Sequence, residues 1–203
     1  MENMTAYQFG AIPPEAISGM TADQMALIPS DVLLGMTADQ MLDVTAEAMT
    51  SMMSGMNADQ MEAMPAEVIG NLTADQMAVI PEEAMSGMTA DQVGYIPQEA
   101  MSVMTADQFG AIPPEAMEMM TAYQFGAIPW QCMGSMTADQ MGGMSLDALS
   151  GMTADQLGYI YSDSMGSMTA DQFGAIPPEA MEMMMGYQFG AIPPEAISGM
   201  TAD

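Results

Sequence analysis

The sequence contains no lysine, no arginine and no histidine. Its 27 acidic residues meet no opposite charge, and the formal net charge at pH 7 is -27. Ordinary domains are roughly 25% charged, with both signs present, so complete absence of one sign is not chance. It excludes several classes of function. There is no basic patch for nucleic acid and no attraction to an anionic membrane surface. There is no imidazole for proton transfer or zinc, and no lysine for a Schiff base. The one cysteine, Cys132, excludes an intrachain disulfide. No run of about 20 apolar residues could span a bilayer. The N-terminus lacks the charged and apolar regions of a signal peptide, so none is visible in this segment. Acids alone would have to form any catalytic pair, inside a repeated lattice, and the chain reads as a non-enzyme.

What is present is apolar. Half of the 203 residues are hydrophobic and 32 are methionine. A chain of that composition can bury a core, unlike a disordered acidic tail.

The whole chain is one repeat array, residues 1–203. Sixteen-residue units begin at Met4, Met20, Met36, Met56, Leu72, Met88, Met104, Met120, Met136, Met152, Met168 and Met184, and a truncated unit occupies 200–203. The step from Met36 to Met56 is 20, which places a four-residue insertion near Thr50–Gly55. The array stops in mid-unit with no polar capping repeat. It is therefore expected to be a slice of a longer one. Residues 104–119 and 168–183 are identical, so a coarser period of four units is superimposed.

Each unit divides into two equal halves. The first opens with Thr-Ala-Asp-Gln, as in Thr105-Ala106-Asp107-Gln108. Thr is a good N-cap, and Gln three residues later can complete a capping box. The second half opens with Pro, as in Pro113-Pro114-Glu115-Ala116, where the missing N–H costs nothing. Thr45 and Ser145 replace that Pro with N-cap types, and Tyr161 is an exception. The pattern predicts an all-α solenoid with two short helices per unit, each about seven residues and about 10 Å long. Helices so short must bury apolar faces against neighbours. Four apolar columns recur, exemplified by Met104, Phe109, Ile112 and Met117. With one layer per unit at 8–10 Å, the array would extend to roughly 100 Å. The alternative is a β-solenoid with one sixteen-residue unit per coil. It would stack like charges about 4.8 Å apart with nothing to offset them, and strict alternation is missing.

Two acidic columns are the first candidates for binding. Asp107 and Asp171 belong to one, and Glu115 and Glu179 to the other. Both columns fall in a first helical turn, where the helix dipole favours a carboxylate. Calcium needs six to eight oxygens at about 2.3–2.6 Å, and acids about a helix spacing apart cannot share one ion. Asp107, Glu115, Asp171 and Glu179 are thus candidates for diffuse cation binding, Ca2+ included, and no cofactor is otherwise indicated. Methionine clusters at Met117–Met120, Met181–Met185 and Met49, Met52, Met53 offer soft thioether ligands, but most methionines sit in the apolar columns as core fillers. The Gln column, from Gln8 to Gln188, is unbroken. Capping explains it, and bonding between units would add control of register. The Thr column would suit an ice surface, though capping accounts for it more simply. Tyr7, Tyr123 and Tyr187 replace the acid in their units, as packing variants or as an aromatic spot for a partner. Cys132 occupies an Ala position beside the variant Trp130.

The phrase Met-Thr-x-x-Gln-apolar-x-x-Ile-Pro-x-x-Ala, as at Met104–Ala116, resembles the degenerate Leu-Thr-x-x-Gln repeats of very large bacterial surface and secreted proteins. The resemblance covers nearly the whole chain. It implies a long extracellular or cell-surface protein, fibrous or adhesive. The sequence is therefore read as a structural or spacer array that self-assembles or forms filaments, its partners being neighbouring repeats or copies of itself. The alternative is an acidic module for divalent cations, mineral, ice or a basic partner.

Overall fold

The computed structural model describes residues 4–17, 19–21, 24, 27–37, 39–40, 50 and 52–198. Among the described residues every regular element is helical and none is a strand, so the fold is all-α. The β-solenoid alternative finds no element there. Thr45, Met49, part of the insertion and the truncated unit 200–203 lie outside the described residues.

Two kinds of helix alternate. Those led by Thr or Asn, such as Ala58–Ala63, Ala90–Tyr95, Ala106–Ala111, Ala138–Gly143 and Ala170–Ala175, have six residues. Those led by Pro, such as Ala66–Ile69, Glu82–Met85 and Gln98–Met101, have four. Both are shorter than the sequence pattern suggests. Proline is the reason for the first kind. Ile112 stands before Pro113 and takes φ -62 and ψ 130. The ring of the following Pro disfavours the α region for that residue, and the helix stops. Pro113 is itself the N-cap of the next element, and offers no side-chain bond.

Pro114–Met119 and Trp130–Ser135 are 3-10 helices. Pro178–Met181, in the identical sequence copy, is α. Nothing local can distinguish the two copies, so the difference lies in what packs on them. Pro114–Met119 is held between Ala90–Tyr95 and Ala138–Gly143.

Packing follows a rule that the repeat does not announce. The main partner of each helix lies three helices away, in a unit that starts elsewhere in the sixteen-residue pattern. Ala106–Ala111 packs between Glu82–Met85 and Trp130–Ser135, and Ala90–Tyr95 between Ala66–Ile69 and Pro114–Met119. Hydrogen bonds between successive passes of the chain span 25 to 31 residues in the regular stretch. The chain therefore returns alongside itself after three helices, one and a half units. One layer per unit is incorrect. With fewer and larger layers at 8–10 Å each, the extent falls from about 100 Å to roughly 70–80 Å.

The four apolar columns line the interior. Met104, Phe109, Ile112 and Met117 are all buried, as are their counterparts Met136, Met141, Met144 and Leu149. A fifth, small column lies beside them: Ala84, Ala100, Ala116, Cys132, Ala148 and Ser164 are buried too. Three glycines mark where backbones meet most closely among the described residues. A Cβ on Gly35 would overlap the Ala6 carbonyl, one on Gly87 the Ala58 carbonyl, and one on Gly151 the Ala122 carbonyl. In the corresponding place Ser167 donates its hydroxyl to the Ala138 carbonyl at 2.8 Å.

The insertion is absorbed within a single turn. Ser30–Leu33 packs on Ala58–Ala63, and Gln60 donates to the Ile28 carbonyl across 32 residues instead of 28. Four extra residues lengthen the path, yet the pairing of equivalent positions is kept. Met52 and Met53, in the inserted region, are buried.

Candidate functional site

A six-residue helix is nearly all ends. Four N–H groups at its start and four carbonyls at its finish lack partners within the helix. The Gln column meets both needs at once. In Ala106–Ala111, Thr105 Oγ1 accepts from the Gln108 N–H at 3.2 Å, and Gln108 Oε1 accepts from the Thr105 N–H at 2.9 Å. Gln108 Nε2 then donates to the Met77 and Ile80 carbonyls at 2.9 and 2.7 Å, on the preceding pass of the chain. One side chain thus closes the start of its own helix and the finish of another. Gln92, Gln124, Gln140, Gln156 and Gln172 repeat the arrangement. All are buried, and no buried side-chain nitrogen or oxygen among the described residues lacks a partner. The expected bonding between units is present, but to backbone and not from Gln to Gln.

This explains how the fold manages without cations. Helix finishes normally attract Lys or Arg. No helix with a described last turn has a basic residue there, and the neutral amide of a distant Gln takes the carbonyls instead. The Gln partner could have been sought in the sequence only by testing offsets other than multiples of the unit length.

The acids do not converge. Asp107, Glu115, Asp171 and Glu179 are exposed, each in the first turn of its own helix. Among the described residues no group of three Asp, Glu or Cys side chains is placed to hold a metal ion. One acid has a distinct structural role. Ala122–Ala127 has Tyr123 where its relatives have Asp, and Asp147 reaches in to accept from the Ala122 N–H at 3.1 Å.

Cys132 is buried, and its thiol donates to the Met104 carbonyl at 3.3 Å. Burial pushes its pKa up from 9.0 to about 11. A thiol held protonated is a poor nucleophile. Ser164, at the same point of a later unit, donates to the Met136 carbonyl at 2.7 Å. The Cys is thus one of two hydrogen-bonding variants of an Ala column. Among the methionines of the proposed soft-metal clusters, Met117 and Met120 are buried, while Met119, Met183 and Met185 are about half exposed.

Half of the large exposed apolar residues described are aromatic. Tyr7 and Tyr123 stand out at 87% and 80% exposure. Trp130 and Tyr159 instead stack across two passes of the chain, with ring centroids 4.1 Å apart and planes at 34°. Tyr161 lies over Gly134, in the same 3-10 helix as Trp130. A shallow depression elsewhere is lined by Ala6, Tyr7, Gly10, Ala11, Leu34 and Gly35. Among the described residues no helix is long and apolar enough to cross a membrane.

No family model matches the chain, and no curated protein matches it. Among solved structures, it is similar to the leucine-rich repeat-containing protein LegL7 from Legionella pneumophila, at 11% identity over 86% of this chain and 75% of that one. The TM-score is 0.19, which does not amount to a shared fold.

Proposed function

We propose that the chain is a non-enzymatic structural array: a solenoid of sixteen-residue units, two short helices each, serving as a spacer or fibre segment. The observation that carries this reading is the Gln linkage. Each buried Gln joins a helix start to a helix finish on the preceding pass, so stability is built between passes and extends with chain length. Every acidic side chain whose burial is described is exposed, which suits a soluble array that resists lateral aggregation. Placement outside the cell, within a large surface protein, follows from the resemblance to Leu-Thr-x-x-Gln repeats.

Chains of six and twelve units test the reading. A spacer gives a maximum dimension in solution scattering that doubles with unit number. Growth only as about the 0.38 power of length, the scaling of a compact domain, would reject it. The second reading, an acidic binding module, is favoured by the uniform sign of the surface charge. Ca2+ titration addresses it: specific sites raise the melting temperature in a saturating way, whereas diffuse association follows ionic strength alone.

A further inference from the structure

Acids are the only charged side chains of the chain, and exposed aromatic rings gather at one place on its surface. Trp130, Tyr159 and Tyr161 are 38%, 51% and 61% exposed, and all three lie on or against the helix Trp130–Ser135. Trp130 and Tyr159 meet across two passes of the chain, and Tyr161 lies over Gly134 beside them.

Carboxylates border this cluster. Asp155 precedes Tyr159 by one helical turn on Ala154–Tyr159, so both share a face. Asp163 opens the next helix, just beyond Tyr161. Both are exposed, and the chain has no cation of its own to set against them or against the ring faces.

Charge selects the occupant. A second copy would bring another -27 to a surface of the same sign. A neutral apolar partner would strip water from the bordering carboxylates without pairing them. A guanidinium meets both features, because it stacks on aromatic faces and pairs with carboxylates through a planar fork of donors. An ammonium is a compact, strongly hydrated charge and satisfies only the second. We propose that the aromatic cluster of Trp130, Tyr159 and Tyr161 docks an arginine-bearing segment of a basic partner protein.

Trp130 is the sole tryptophan and sits within the patch, so its emission reports directly. The protein is titrated at about 0.15 M salt, where surface charge is screened beyond about 8 Å, with a peptide alternating Arg and Gly and with its Lys–Gly counterpart. The expected result is a saturable change in Trp130 emission, with the Arg peptide bound at least about fivefold tighter. Tyr159→Ser with Tyr161→Ser removes that preference. Tyr123→Ser keeps it, since the helix bearing Tyr123 packs on Leu146–Ser150 and Gln98–Met101 and not on the patch. Circular dichroism confirms that each exposed-site variant remains folded. Equal affinity for the two peptides, or a preference unchanged in the Tyr159/Tyr161 variant, overturns the proposal in favour of diffuse charge attraction. A neutral Leu–Gly peptide that binds as tightly as the Arg peptide also overturns it.

Discussion

The side-chain nitrogen of Gln140 lies 2.7 Å from the carbonyl oxygen of Ile112, a residue 28 positions earlier. The same nitrogen donates to Phe109 and Gly110 at 3.1 Å. Replacing Gln140 with Met keeps the volume and removes every one of these bonds. Buried carbonyls that lose a donor cost about 1–3 kcal/mol each, so Gln140→Met should destabilise by about 2–4 kcal/mol in urea unfolding. Gln8 is exposed and serves the capping box of its own helix. Gln8→Met should cost only about 0.5–1 kcal/mol.

Gln140→Glu gives a pH-dependent version. A protonated carboxyl can donate to one carbonyl, whereas a carboxylate facing three carbonyls cannot ionise cheaply. The folded-state pKa is therefore raised above the unfolded value of about 4.3. The folded form binds the extra proton, so stability is retained below that value and falls as pH rises above it. Melting temperatures of the variant and the parent should converge at acid pH and separate towards pH 7.

Glycines separate contact from propensity. Gly151→Ala would drive a Cβ into the Ala122 carbonyl and should cost about 1–3 kcal/mol. Gly174 lies within Ala170–Ala175, has nothing near its Cβ position, and does not take positive φ. Gly174→Ala should stabilise by about 0.5–1 kcal/mol. Thermal unfolding of the two variants should therefore move in opposite directions.

These capping residues show what is legible in the sequence. Thr105 and Gln108 announce a helix start, and the buried Phe109, Ile112 and Met117 follow from the apolar columns. The Nε2 partners of Gln108 do not follow. They lie 28 and 31 residues back, at offsets unrelated to the unit length, because layer closure depends on how short helices pack and not on how the unit was copied. The pattern overestimates helix length because Pro113 acts on Ile112 before it, which removes a residue from the preceding helix. The Trp130–Tyr159 stack is hidden for the same reason as the Gln linkage: the two rings meet only once the chain has gone round.

Cys132 should react with a disulfide reagent many times more slowly in the native state than in urea, given its burial. Its pKa is near 9.0 unfolded and about 11 folded, so the folded form holds its proton longer. Stability should therefore fall as pH rises from about 9 to 11. Cys132→Ser should lose that dependence and stay within about 1 kcal/mol of the parent, since Ser164 already makes the equivalent bond.

Salt should stabilise the chain. With 27 acids and no base, added ions screen repulsion only, and the Debye length shrinks from about 30 Å at 0.01 M to about 3 Å at 1 M. The melting temperature should rise with NaCl from low ionic strength, without the decline expected when ion pairs are weakened.

Both halves of a unit carry an acid in the first helical turn, and the helices that pack on one another lie three half-units apart. Acids therefore recur in file: Asp91, Glu115, Asp139 and Asp163 open four helices packed in succession. Only a unit that breaks the pattern interrupts such a file. The file through Asp107 and Asp155 has no acid on the helix between them, Trp130–Ser135. The rings of Trp130, Tyr159 and Tyr161 gather at that gap.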